Sequence, residues 1–117
     1  MTKHFADRLI TRTRSLGHPL CVGLDPFLDR IPPLFRNGDM SPSDERTAPA
    51  VGAYLRTVVD RLEGKVAVVK PQIAFFETMG WRGIRMLSEV VEYARARDLL
   101  VLMDAKRGDI GSTAEGY

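Results

Sequence analysis

The sequence predicts a parallel α/β fold, and three observations predict it. Three short apolar runs, "LCVGLD", "VAVVK" and "LLVLMDAK", punctuate the chain. Between them lie segments whose apolar residues recur at helical spacing. Each run also ends on ionisable side chains: Asp25, then Lys70, then Asp104 with Lys106. Strand, helix, strand, helix, strand with right-handed crossovers leaves a (β/α) barrel or an open doubly wound sheet. In both, function gathers at the carboxyl ends of the strands.

Taken in order, Phe5, Leu9, Ile10, Thr13 and Leu16 share one face of a first helix that Gly17 and Pro19 end. "LCVGLD" is continuously apolar and reads as a strand buried on both faces. Residues 26–43, "PFLDRIPPLFRNGDMSPS", are longer than a plain connection needs, which points to function or to a short irregular helix. Val51, Tyr54, Leu55, Val58, Val59 and Leu62 then mark a helix with Pro49 in its first turn and Gly64 closing it. "VAVVK" is the second buried strand, and Ile84, Leu87, Val91 and Ala94 mark the next amphipathic helix. The third strand is the run from Leu99 to Met103, which leads into "DAKRGDIGSTAE" without a spacer. Phe75, Phe76 and Trp81 are expected to pack in the core or an interface, since no basic groove accompanies them.

Ser112 and Glu115 fit a capping box that announces a helix near Thr113, and the sequence ends two residues after the glutamate. A three-stranded parallel sheet has two unprotected edges. Residues 1–117 therefore read as a single partial domain, the amino-terminal piece of a longer protein.

Composition narrows the function. With 44% hydrophobic and 27% charged residues the chain is an ordinary globular sequence, and its formal charge of +2 has mixed signs throughout. No basic stripe tracks a phosphate backbone, so a nucleic-acid polymer is a poor partner. No apolar run approaches the length of a membrane helix, and "MTKHFADRLI" lacks a signal-peptide core. The expected location is the cytoplasm. Cys21, alone of its kind, suits a reducing compartment and is expected to be a buried thiol; neither His4 nor His18 is placed to activate it.

The segment from Asp104 carries the densest chemistry. Asp104 and Lys106 are two apart and share a face if the strand persists, while Asp109 lies past Gly108 where the chain can turn. With Lys70 arriving from the neighbouring strand, two cations and two anions alternate. An opposite pair at about 4 Å is worth on the order of 4 kcal/mol at an effective dielectric near 20. Carboxylates on either side keep a lysine charged. That suits an ammonium that stabilises developing negative charge and donates a proton, and disfavours a Schiff base.

In order and spacing, "CVGLDP", "VKPQIAFFE" and "DAKRGDIGSTAE" resemble orotidine 5'-phosphate decarboxylase, in particular its longer-chain bacterial group. The resemblance implies the first three strands of a (β/α)8 TIM barrel. It implies decarboxylation of orotidine 5'-monophosphate to uridine 5'-monophosphate in pyrimidine biosynthesis, with no metal or organic cofactor. Lys70, Asp104, Lys106 and Asp109 become the catalytic array, with Lys106 the proton donor to C6 and Asp104 set against the substrate carboxylate. Lys70 would orient Asp104 and contact the ribose, and Asp25 would accept from ribose hydroxyls. Ile110 would line the pyrimidine pocket. Asp109 and Thr113 would reach the substrate of the second subunit in a homodimer with shared sites. The phosphate grip of the family comes from later loops, so the 117 residues by themselves are expected to be inactive. Two alternatives stay open: a magnesium-dependent sugar-phosphate decarboxylase or aldolase-like relative, which holds its metal partly with an acidic residue where this chain has Lys70, and a non-catalytic truncated fragment.

Overall fold

The computed structural model describes residues 4–106. A first helix, α1 (Phe5–Leu16), leads to β1 (Cys21–Leu24), and a single 3-10 turn at Leu28–Arg30 interrupts the long connection that follows. Helix α2 (Thr47–Leu62), strand β2 (Val68–Pro71), a short helix α3 (Ile73–Glu77), helix α4 (Gly80–Ala96) and strand β3 (Leu100–Val101) complete the order. The three strands are parallel in the order β1-β2-β3, so β2 is central. This is the expected α/β arrangement of three parallel strands with intervening helices.

The core lies between the sheet and helices α2, α3 and α4. Val51, Leu55 and Val59 of α2 meet Val69 of β2, Phe76 of α3 and Val90 of α4, all fully buried. Apolar side chains three and four apart on α2 project onto one face, which is why that helix forms there. Its start is held by polar contacts. The Asp44 carboxylate accepts from the Arg46 guanidinium and from the Arg46 backbone N–H, and these bonds hold its carboxyl down at about 2. The Thr47 hydroxyl donates to the Ser41 carbonyl at 2.6 Å. At its other end α2 is tied to α4, since Tyr93 and Arg97 both donate to Oδ1 of Asp60.

Helix α3 was not signalled by periodicity, being too short to show a period. It crosses the start of α4 closely, and Gly83 makes that crossing possible. A Cβ at Gly83 would stand 2.0 Å from the Phe76 carbonyl oxygen and 2.8 Å from Met79 Cβ. Gly83→Ala is therefore expected to cost about 1–3 kcal/mol through overpacking. In the intact protein it should lower the denaturant midpoint with the slope unchanged.

Helix α1 ends as expected at Gly17, whose φ of 82° places it in the left-handed region and whose N–H donates to Thr13. Its apolar face is only partly covered, with Leu9, Thr13 and Leu16 half-buried and Phe5 and Ile10 exposed. Arg12 anchors the helix by pairing with Asp98, in the turn between α4 and β3.

Several expectations need correction. Strand β1 is not buried on both faces: Leu24 is buried, Val22 is half-buried and Cys21 is exposed, because β1 pairs only with β2 among the described residues. The thiol of Cys21 is thus not a core group. Ile84 is exposed, and the face that α4 buries is Gly83, Met86, Leu87, Val90 and Ala94. Of the core or interface place expected for Trp81, the core is excluded, since its ring is exposed and lies under the Arg82 guanidinium. The third apolar run is the largest departure. Leu99 and Leu100 are buried, but Leu102 and Met103 are 46% and 39% exposed, and the strand stops at Val101.

The stop has a chemical cause on β2. The Val69 carbonyl accepts from Leu102, and the Pro71 carbonyl accepts from Asp104. Between these bonds the parallel ladder calls for an N–H from residue 71 to the Leu102 carbonyl, and proline has none. Pairing therefore lapses for one step and resumes as an isolated bridge between Gln72 and Asp104.

Candidate active site at the strand ends

The topology brings the ends of all three strands to one rim. Gly23 pairs with Lys70 and Leu24 with Pro71, so Asp25 leaves β1 level with Gln72, which in turn bridges Asp104. Asp25, Lys70 and Asp104 are thereby neighbours from three successive strands. Lys70 and Asp104 are half-buried, and Lys106 lies two residues beyond, exposed.

The carboxylate of Asp25 folds back over Gly23, where a Cβ would stand 3.7 Å from Oδ1. Partial burial raises the Asp25 carboxyl above its ordinary range. The Lys70 ammonium opposes that shift and the Asp104 carboxylate adds to it. Asp25 feels the other two without touching them, and no ion pair within 4 Å joins any two of the three among the described residues. The direct pairs at about 4 Å that spacing suggested are absent among these three. What remains, among the described residues, is a carboxylate, an ammonium and a carboxylate along one rim.

Asp104 is held most firmly. Its N–H donates to the Pro71 carbonyl at 2.9 Å, and its own carbonyl accepts from the Ile73 N–H at 2.9 Å. Its Oδ2 accepts from Nε2 of Gln72 at 3.0 Å. Gln72 is buried, and its Oε1 has no hydrogen-bond partner among the described residues. An unmatched buried acceptor costs on the order of 1–3 kcal/mol. Sequence reasoning missed this residue. The signal available was its place two positions after Lys70 at a strand end, which alternation puts on the same side as the lysine.

Of the residues picked out from sequence, Asp25, Lys70, Asp104 and Lys106 lie within the described structure. Asp109, Ile110, Thr113 and the capping box lie outside it. Among the described residues no three His, Cys, Asp or Glu side chains converge as metal ligands. A groove of about 560 Å³ between α2 and α4 is lined by residues such as Arg46, Arg56, Trp81 and Arg85 and by none of the rim residues. The chemistry of the rim outweighs the groove's volume as a guide to function.

The sequence model of the orotidine 5'-phosphate decarboxylase / HUMPS family matches residues 18–117. The chain belongs to that family. Orotidine 5'-phosphate decarboxylase of Streptomyces coelicolor is 46% identical over 99 residues, which are 85% of this chain and 33% of that protein. The Rhodopirellula baltica decarboxylase is 39% identical over 113 residues, 97% of this chain and 37% of that protein. Among solved structures, a Streptomyces avermitilis protein provisionally named orotidine 5'-phosphate decarboxylase superposes with a TM-score of 0.71 at 44% identity, over 96% of this chain and 36% of its own. The UMP synthase of Leishmania donovani superposes with a TM-score of 0.66 at 34% identity, over 93% of this chain and 20% of its own. The chain thus spans about a third of the length of the decarboxylase relatives it matches. The solved decarboxylases are TIM barrels, and the three parallel strands here correspond to part of such a barrel.

Proposed function

We propose that this chain supplies the catalytic strand ends of an orotidine 5'-monophosphate decarboxylase, forming uridine 5'-monophosphate. The observation that carries the reading is the gathering of Asp25, Lys70 and Asp104 on one rim, with Lys106 two residues on. In the proposed reaction the bond between C6 of the pyrimidine and its carboxylate breaks, carbon dioxide leaves, and the electron pair stays on C6. The Lys106 ammonium stabilises that carbanion and then gives it a proton, leaving a neutral amine. Asp104 faces the substrate carboxylate, so repulsion between like charges is relieved as carbon dioxide departs. Asp25 accepts from ribose hydroxyls, and Lys70 contacts the ribose between the two carboxylates.

By the same reading the enzyme is a cytoplasmic homodimer. Asp109 and Thr113 of each subunit complete the neighbour's site, Ile110 lines the pyrimidine pocket, and no cofactor takes part. Phosphate binding rests on residues outside this chain, and that remote binding energy drives reaction at the base.

Lys70 separates this reading from the magnesium-dependent alternative, because an ammonium there repels a metal ion. The complete enzyme is expected to turn over orotidine 5'-monophosphate at an unchanged rate in excess chelator, followed by loss of orotate absorbance. Activity that disappears with chelator and returns with magnesium would reverse the assignment.

A further inference from the structure

Resemblance assigns the orientation of Asp104 to Lys70, yet Lys70 makes no hydrogen bond or ion pair within 4 Å among the described residues. The direct contact belongs to Gln72. Its amide has two ways to sit, and the one adopted puts the nitrogen on Oδ2 of Asp104 at 3.0 Å and leaves its own oxygen buried and unmatched. The reverse would press two oxygens together. At 8% exposure methionine or leucine would fill the same space, so packing does not account for an amide here. The backbone just before and after Gln72 grips the main chain of Asp104 through Pro71 and Ile73, which leaves the carboxylate's own rotation for the side chain to settle.

We propose that Gln72 is a positioning residue for the decarboxylation, a neutral clamp that fixes one oxygen of Asp104 and so orients the carboxylate toward the substrate. The inference rests on the proposed decarboxylase reading. Of the charged groups at the rim, Asp25 lies beyond β1 level with Gln72, Lys70 lies on β2, and Lys106 follows Asp104 by two positions.

The test uses the complete enzyme with Gln72→Met and Gln72→Glu. Methionine keeps the volume and removes the donor; kcat is expected to fall about tenfold or more, with KM changed less than about threefold. Glutamate sets a second carboxylate against Asp104, so kcat falls further at neutral pH. Its activity relative to wild type then rises as the pH is lowered, because a protonated carboxyl donates an O–H in place of the amide. A packing role predicts a loss independent of pH. Wild-type kcat in the methionine variant, or a relative activity of the glutamate variant that does not rise toward acid, overturns the clamp. The ¹³C carboxyl resonance of Asp104 provides a readout independent of turnover, and it should move between wild type and Gln72→Met. If wild type fails to turn over orotidine 5'-monophosphate, the decarboxylase reading falls while this resonance still decides the clamp; an unmoved resonance rejects it.

Discussion

On the proposed reading, Lys106→Ala in the complete enzyme is expected to abolish decarboxylation and leave the fold intact. Proton transfer by a positioned side chain contributes about 10²–10⁴-fold, and loss of a charge that stabilises the developing carbanion adds to it. The side chain is exposed past the end of β3, away from the core formed by Leu55, Val59, Val69 and Phe76. Its removal therefore opens no cavity. Steady-state turnover read beside a thermal melt checks both halves. Near-normal activity in a folded variant would remove Lys106 from the mechanism.

A second large effect is expected from mixing two defective enzymes. Asp109 lies past Gly108 and outside the described residues; on the shared-site reading it completes the partner's site in a two-fold dimer. Lys106→Ala and Asp109→Ala are each expected to be nearly dead alone. After subunit exchange, half of the dimers are mixed. One site of each mixed dimer then carries both lesions and the other neither, so roughly a quarter of wild-type activity should return. Verified exchange with no recovery would place Asp109 in its own subunit's site.

The parts of the fold most readable from sequence were those in which hydropathy and local geometry agree. Helix α2 shows both a repeating apolar face and terminal signals in Pro49 and Gly64, and it forms where expected. Strands β1, β2 and β3 fall within their apolar runs apart from Pro71, which β2 adds beyond Lys70, and deliver Asp25, Lys70 and Asp104 to one side. Burial was read less well, because hydropathy records what a side chain tolerates and not what covers it. Cys21, Ile84, Leu102 and Met103 are all apolar or soft, and all are exposed for lack of a described element against them. Trp81, 64% exposed, follows the same rule. Gln72 escaped notice for a different reason. A single glutamine has no period and no charge, and its importance appears only when β2 and β3 are laid side by side.

The missing N–H of Pro71 has a consequence for anyone who would transplant this chemistry. The ladder lapses between Val101 and Asp104, so Asp104 does not inherit its position from the strand that precedes it in sequence. It is held instead by Pro71 at the end of the neighbouring strand and by Gln72 and Ile73, where the chain turns into α3. The aspartate and its coordinates are thus encoded in two places more than thirty residues apart. Grafting "DAK" alone onto another barrel would carry the functional group without its address. The portable unit is "DAK" together with "KPQI", in register across a parallel seam.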